Sequence, residues 1–173
     1  IGILNKINFD IEEVGEPIPF KWGKCKLATV SYGHGITTTP LQLAKAYAII
    51  SNGGFDIEPS LIKKDLVSYQ QKKRIIKEGI SKKINQILRK IVATKEGTAG
   101  LANIEGYEVG GKTGTAQKTK IGGYSKKKVN TFAGIFPASS PKYVLIVLLD
   151  EPKTSSDYVY EYKNKKGSYK GTP

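Results

Sequence analysis

Lys112 is the residue with the most chemistry around it. Read from Gly106, the stretch G-Y-E-V-G-G-K-T fits the phosphate-loop spacing GxxxxGK[ST]. Read from Lys112, K-T-G-T places an ammonium beside two hydroxyls and a glycine. One lysine cannot perform both tasks. The phosphate loop needs backbone N–H groups that curl around anionic oxygens and then enter a helix. Here the cradle holds Tyr107, Glu108 and Val109. A carboxylate repels phosphate, a β-branched residue resists the curl, and Gly114, Gly122 and Gly123 follow with no helical stripe. That weakens the nucleotide reading, in which Asp150 would help hold magnesium. The K-T-G-T reading needs a strand, on which Lys112 and Gly114 share one face and Thr113 and Thr115 the other. A glycine there lets an extended ligand lie close against the strand. The lysine supplies positive charge for a carboxylate, and the threonine hydroxyls can hydrogen-bond it.

The elements around this stretch follow from hydrophobic spacing and punctuation. Residues 1–24 read as loop-rich, and 28–39 as an extended segment feeding a helix. Thr39-Pro40 gives a hydroxyl cap and a proline in the first turn, so a helix runs from there to Ser51. Asn52-Gly53-Gly54 stops it. That helix is apolar around most of its circumference and is expected to be buried. Short strands or extended pieces are predicted at 57–62 and 73–77. Ser81 is read as the cap of a second helix, with Ile84, Ile87, Leu88, Ile91 and Val92 as its apolar stripe. Residues 95–106 read as a loop. Strands are predicted at 107–117, 130–137 and 142–150. The last is a continuous apolar run, expected to be buried on both faces. Residues 118–128 read as a solvated, lysine-rich turn, and the tail 153–173 shows no clear final element.

Other chemistry is scarce. The chain has 173 residues and a net charge of +13, and 26 of its 28 basic residues are lysines. Nucleic-acid readers favour arginine for its bidentate fork, so no nucleic-acid partner is expected. A non-catalytic cationic module for polyanions stays open, since charge alone does not define a fold. Cys25 and His34 are the only residues of their types, which excludes an internal disulfide and a cysteine-based metal cluster. No cofactor or metal is expected. The longest apolar run, Tyr143 to Leu149, is well short of the ~20 residues of a membrane span. The chain starts at Ile1 and contains no methionine. A piece of a longer protein is therefore expected.

Three segments together carry a family resemblance. S-Y-G-H-G-I-T-T-T-P-L-Q-L-A (31–44), G-Y-E-V-G-G-K-T-G-T-A-Q-K (106–118) and T-F-A-G-I-F-P-A-S-S-P-K-Y-V-L-I-V-L-L-D-E-P (131–152) resemble the class B penicillin-binding protein transpeptidases, most of all the cell-division (septal) type. The likeness covers nearly the whole chain. It implies an α/β (α+β) transpeptidase fold, an antiparallel sheet with flanking helices, present here in part. It implies acyl transfer, in which a serine attacks the D-Ala-D-Ala bond of a peptidoglycan stem peptide and an amine of a second stem takes the acyl group. Lys112, Thr113, Gly114 and Thr115 would bind the carboxylate of substrate or β-lactam, with Tyr124 and His34 as candidate cleft residues. The parent would be anchored in the cytoplasmic membrane, face the periplasm and meet membrane proteins of the divisome. A β-lactamase of the same superfamily is the nearest alternative.

The departure from the family pattern is large. The chemistry requires SxxK, with nucleophile and base one helical turn apart, and SxN. S-x-x-K occurs at Ser60/Lys63, Ser125/Lys128 and Ser139/Lys142, none at a predicted helix start, and two follow K-T-G where the family serine precedes it. No S-x-N occurs. Residues 1–173 are therefore expected to be the C-terminal part of the domain, inactive alone.

Overall fold

The computed structural model describes residues 1–7, 9, 22–63, 73–120, 123–153, 160–164 and 167–171. Part of the loop expected at 1–24 (residues 8 and 10–21) lies outside them. Three α-helices, α1 (Lys26–Val30), α2 (Pro40–Ser51) and α3 (Glu78–Ala93), and one 3-10 turn, Gly100–Ala102, within the loop expected at 95–106, are described. The strands are β1 (Gly110–Lys120), β2 (Gly123–Phe136), β3 (Tyr143–Asp150), β4 (Tyr160–Asn164) and β5 (Gly167–Gly171). The first three form one antiparallel sheet in the order β1-β2-β3, and β4 pairs with β5. The chain divides into two compact units, residues 1–113 with 132–147 and residues 114–131 with 148–173.

In the first unit, α2 starts as its sequence dictates. The Thr39 hydroxyl accepts from the Gln42 N–H at 3.2 Å, and Gln42 Oε1 accepts from the Thr39 N–H at 2.8 Å, a reciprocal capping box. Gln42 also donates from Nε2 to the Asn5 carbonyl, which explains how a polar residue is only 2% exposed. From Leu41 to Ser51 every residue is at least partly covered. Gly54 closes the turn at φ +89°, where a Cβ would fall 1.9 Å from the Ile76 carbonyl oxygen. Only glycine fits there.

Several expectations need correction in this unit. Residues 26–30 form the short helix α1, so the extended segment predicted at 28–39 begins later. Residues 57–62 form no strand, and 73–77 contribute one isolated bridge, Phe55 to Arg74. The second helix begins at Glu78 with Lys77 as its cap, not at Ser81. Ser81 instead accepts from the Gly53 N–H at 3.1 Å and donates to the Ile50 carbonyl. Asn85 donates to the Ser51 carbonyl at 3.3 Å. These two polar side chains join Leu88 and Val92 on the buried face of α3, and Ile87 of the expected stripe is half exposed. α3 is turned so that Ser81 and Asn85 meet the end of α2, which leaves Ile87 half exposed. Val92, Ala99 and Val109 form a small core against Ile91, Ala102, Phe132 and Phe136.

In the second unit, the turn predicted at 118–128 is largely strand, because β1 runs to Lys120 and β2 begins at Gly123. Its lysines are partly neutralised. Lys118 lies 2.7 Å from Asp150 and 2.7 Å from Glu151, and Lys127 lies 2.9 Å from Glu151. These contacts raise the Lys118 pKa, through Asp150 and then Glu151. They lower that of Glu151, through Lys118 and then Lys127. Glu151 also bonds the Lys128 carbonyl from its backbone N–H at 2.9 Å, with φ +49°. The tail, expected to lack a final element, holds the β4–β5 hairpin.

β3 differs from its sequence reading. The apolar run predicted two covered faces, yet Leu145, Val147 and Leu149 are 49%, 41% and 56% exposed. Among the described residues β3 is an edge strand with one neighbour, β2, and nothing covers that face.

Candidate functional site

Lys112, Thr113, Gly114 and Thr115 lie consecutively in β1, an 11-residue strand. That removes the phosphate-loop geometry, since no helix begins at Lys112. β1 is the other edge of the sheet among the described residues, so one row of its backbone donors and acceptors is open to an added strand.

Two anchors aim the start of β1. Arg89 on α3 donates to Asn103 Oδ1 at 2.9 Å and to the Val109 carbonyl at 2.8 Å. Glu108 takes φ +47°, its carbonyl accepts from the Ala138 N–H at 2.8 Å, and its carboxylate accepts from the Ser139 hydroxyl. Gly110 and Gly111 then let the strand pass close to its neighbours. A Cβ on Gly110 would fall 3.1 Å from the Arg89 nitrogen. One on Gly111 would fall 2.5 Å from the Phe132 ring and 2.7 Å from the Ala133 carbonyl oxygen. Gly114 is different, because its nearest neighbour, Thr131, is 4.0 Å from an added Cβ. The protein's own packing does not require glycine there.

Lys112 is exposed, and its ammonium donates to the Thr113 carbonyl at 2.6 Å and reaches the Thr113 hydroxyl at 3.4 Å. The Thr113 hydroxyl donates to that of Thr98 at 3.3 Å. An ammonium has three donors, so one remains for a ligand. The arrangement presents a cation and hydroxyls along a strand edge, suited to a carboxylate at the end of an extended chain. It is a platform rather than a cavity. A cavity of about 580 Å³ in the first unit is lined by Asn85, Arg89, Glu108 and Ser139, among others, and includes none of Lys112, Thr113, Gly114 and Thr115.

The remaining candidates sit elsewhere. His34 follows α1, its ring tilted against Tyr32 at 5.1 Å and its backbone N–H donating to the Thr29 carbonyl at 2.9 Å. Tyr124 is exposed near the start of β2. Among the serines, Ser60 donates to the Ile62 carbonyl at 2.9 Å and Ser125 accepts from the Lys127 N–H at 3.1 Å. Neither Ser60 nor Ser125 opens a helix, and the Ser139 hydroxyl faces the Glu108 carboxylate. Sequence reasoning missed Thr98, the role of Arg89, and the pairing of Asp150 and Glu151 with Lys118. Only the last carried a signal, two carboxylates ending an apolar strand in a lysine-rich chain.

Among the described residues no cluster of His, Cys, Asp or Glu is arranged to hold a metal, and no helix is long and apolar enough to cross a membrane.

The chain is matched over residues 1–168 by the family model of the penicillin-binding protein transpeptidase domain. It is 40% identical over 151 residues to the peptidoglycan D,D-transpeptidase FtsI of Buchnera aphidicola, covering 84% of this chain and 26% of that protein. It is 38% identical over 166 residues to stage V sporulation protein D of Bacillus subtilis, covering 88% of this chain and 25% of that one. The chain thus spans about a quarter of the length of these relatives. Its structure is similar to the transpeptidase domain of penicillin-binding protein 3 from Burkholderia pseudomallei, with a TM-score of 0.79 and 29% identity, over 87% of this chain and 46% of that one.

Proposed function

Because the chain belongs to the transpeptidase family of the class B penicillin-binding proteins, we propose that it is the C-terminal, carboxylate-binding part of a peptidoglycan D,D-transpeptidase of cell division. In this reading the nucleophilic serine, its lysine base and the SxN residues lie in other parts of the protein. The parent is membrane-anchored with this domain outside the cytoplasm, and works beside membrane proteins of the divisome. Its substrate is the D-Ala-D-Ala end of a stem peptide, and β-lactams occupy the same place.

The chemistry asked of this chain is binding and orientation. The serine oxygen attacks the penultimate D-Ala carbonyl, its proton passes to the lysine base, and the terminal D-Ala leaves as an amine. An amine of a second stem then displaces the serine oxygen. Throughout acylation the terminal carboxylate must stay fixed while the neighbouring carbonyl reacts, because positioning lowers the barrier. Lys112 supplies the countercharge, Thr115 supplies a hydroxyl donor, Thr113 holds the Lys112 ammonium through its oxygens, and Gly114 leaves room for the ligand backbone.

The observation that carries this reading is the pairing of an exposed lysine with a glycine whose missing side chain the fold does not need. The exposed face of β3 supports the view that further parts of the domain cover it. Intact-mass spectrometry after incubation with a penicillin tests the proposal on this chain, on the protein extended toward its N-terminus, and on the extended protein with Lys112→Ala. The extended protein gains one drug mass, the other two gain none or gain it far more slowly. An adduct on this chain alone would sink the assignment of roles.

A further inference from the structure

The segment Lys95–Gly100, a plain loop in the sequence, is pinned against the C-terminal end of α3. The Gly97 N–H bonds the Thr94 carbonyl at 3.1 Å, and the Ala99 N–H bonds that of Ile91 at 3.3 Å. A Cβ on Gly97 would fall 1.9 Å from the Ile91 oxygen, so no other residue fits without moving the helix end. Ala99 is 4% exposed and shares its core with Val109, the residue that leads into β1. Thr98 therefore sits between two fixed neighbours, on a base packed into the same core as the strand it faces. Its hydroxyl is exposed to solvent on one side and lies 3.3 Å from the Thr113 hydroxyl on the other.

A hydroxyl has one proton and two lone pairs. When the Thr113 proton points to Thr98, its lone pairs are left for the Lys112 ammonium, 3.4 Å away. We propose that Thr98 is a positioning residue: its hydroxyl accepts the hydrogen bond from Thr113, fixes that side-chain rotamer, and so keeps the Lys112 ammonium over its own strand with one N–H free for a carboxylate. This deepens the carboxylate-binding role above and rests on it. Thr98 touches no substrate and acts through Thr113 and Lys112.

The test compares Thr98→Val, which keeps the shape and removes the hydroxyl, with Thr98→Ser, which keeps the hydroxyl, in the full-length protein that carries this chain. Two quantities are read: penicillin acylation as a function of drug concentration, and the Thr113 rotamer from the ¹³C shift of its methyl group. One neutral hydrogen bond corresponds to a factor of about 2–10 in an equilibrium constant. Thr98→Val is expected to raise the half-saturating penicillin concentration by that factor, with the saturating rate unchanged and the Thr113 methyl shift moved toward a rotamer average. Thr98→Ser restores both. The proposal fails if Thr98→Val leaves the Thr113 shift in place, or if Thr98→Ser loses as much as Thr98→Val, which marks a packing role. Should the unaltered protein take up no penicillin, the transpeptidase reading falls separately, and the Thr113 shift still decides the role of Thr98.

Discussion

Two glycines three residues apart in β1 are glycine for different reasons, and alanine separates them. At Gly111 an added Cβ meets the Phe132 ring at 2.5 Å and the Ala133 carbonyl oxygen at 2.7 Å. The oxygen belongs to the β2 backbone, Ala133 is 3% exposed, and the Phe132 ring packs on the core, so neither can retreat freely. Overpacking of a filled site costs about 1–3 kcal/mol. Restricting the unfolded chain by Gly→Ala returns about 0.4–1 kcal/mol. Gly111→Ala is thus destabilising by about 1–2 kcal/mol once both effects are counted. Gly114→Ala meets nothing closer than 4.0 Å. It keeps only the unfolded-state benefit, so the two variants separate by about 2 kcal/mol. Urea unfolding of the complete transpeptidase domain reads this as a midpoint difference of about 1 M, taking a slope near 2 kcal/mol/M. Penicillin acylation reads the opposite order, because Gly114→Ala fills the space a ligand needs: it is expected to lose at least about tenfold, or ~1.4 kcal/mol of transition-state binding. Equal stabilities, or a Gly114→Ala protein that acylates normally, would refute the distinction between fold glycine and ligand glycine.

The charge cluster of the second unit predicts a pH signature. Glu151 is held below the usual carboxylate range, so its contribution is complete above the unfolded carboxyl value and disappears as pH falls through the lowered folded value. Lys118 is held above its usual range, so its share is lost only as pH rises through that raised value. Glu151→Gln should lower the melting temperature at neutral pH and converge on the unaltered protein in acid. A constant offset at every pH would argue against it. Replacing Arg89 by Leu removes the bonds to Asn103 and Val109 and leaves a largely buried carbonyl unmet. The expected cost is about 1–3 kcal/mol in thermal unfolding, and Arg89→Lys should recover part of it.

The readable parts of this chain are those whose causes lie within a few residues. Thr39, Pro40 and Gln42 specify a helix start by themselves, and the structure has that start. Lys112 to Thr115 form a contiguous pattern on a strand, and they are on one. Ser81 misled because hydroxyls cap helices locally, whereas this one serves the end of another helix 28 residues earlier, at Gly53. The lysines of 118–128 read as a solvated turn because their acidic partners lie 32 and 33 residues from Lys118. Thr98 gave no signal, since its meaning depends on a hydroxyl 15 residues away. The run at β3 was read for composition alone, which cannot say whether a second layer is at hand.

One helix carries two of these long connections. Ser81 engages the end of α2, and Arg89 engages the carbonyl that precedes β1. Eight residues of helix separate them, a rise of about 12 Å and a little over two turns. α3 therefore works as a gauge block. Its exposed residues can be exchanged freely, but one residue added or lost between Ser81 and Arg89 would swing the second contact by about 100° around the axis. Count, rather than composition, is the property that this stretch of chain has to preserve.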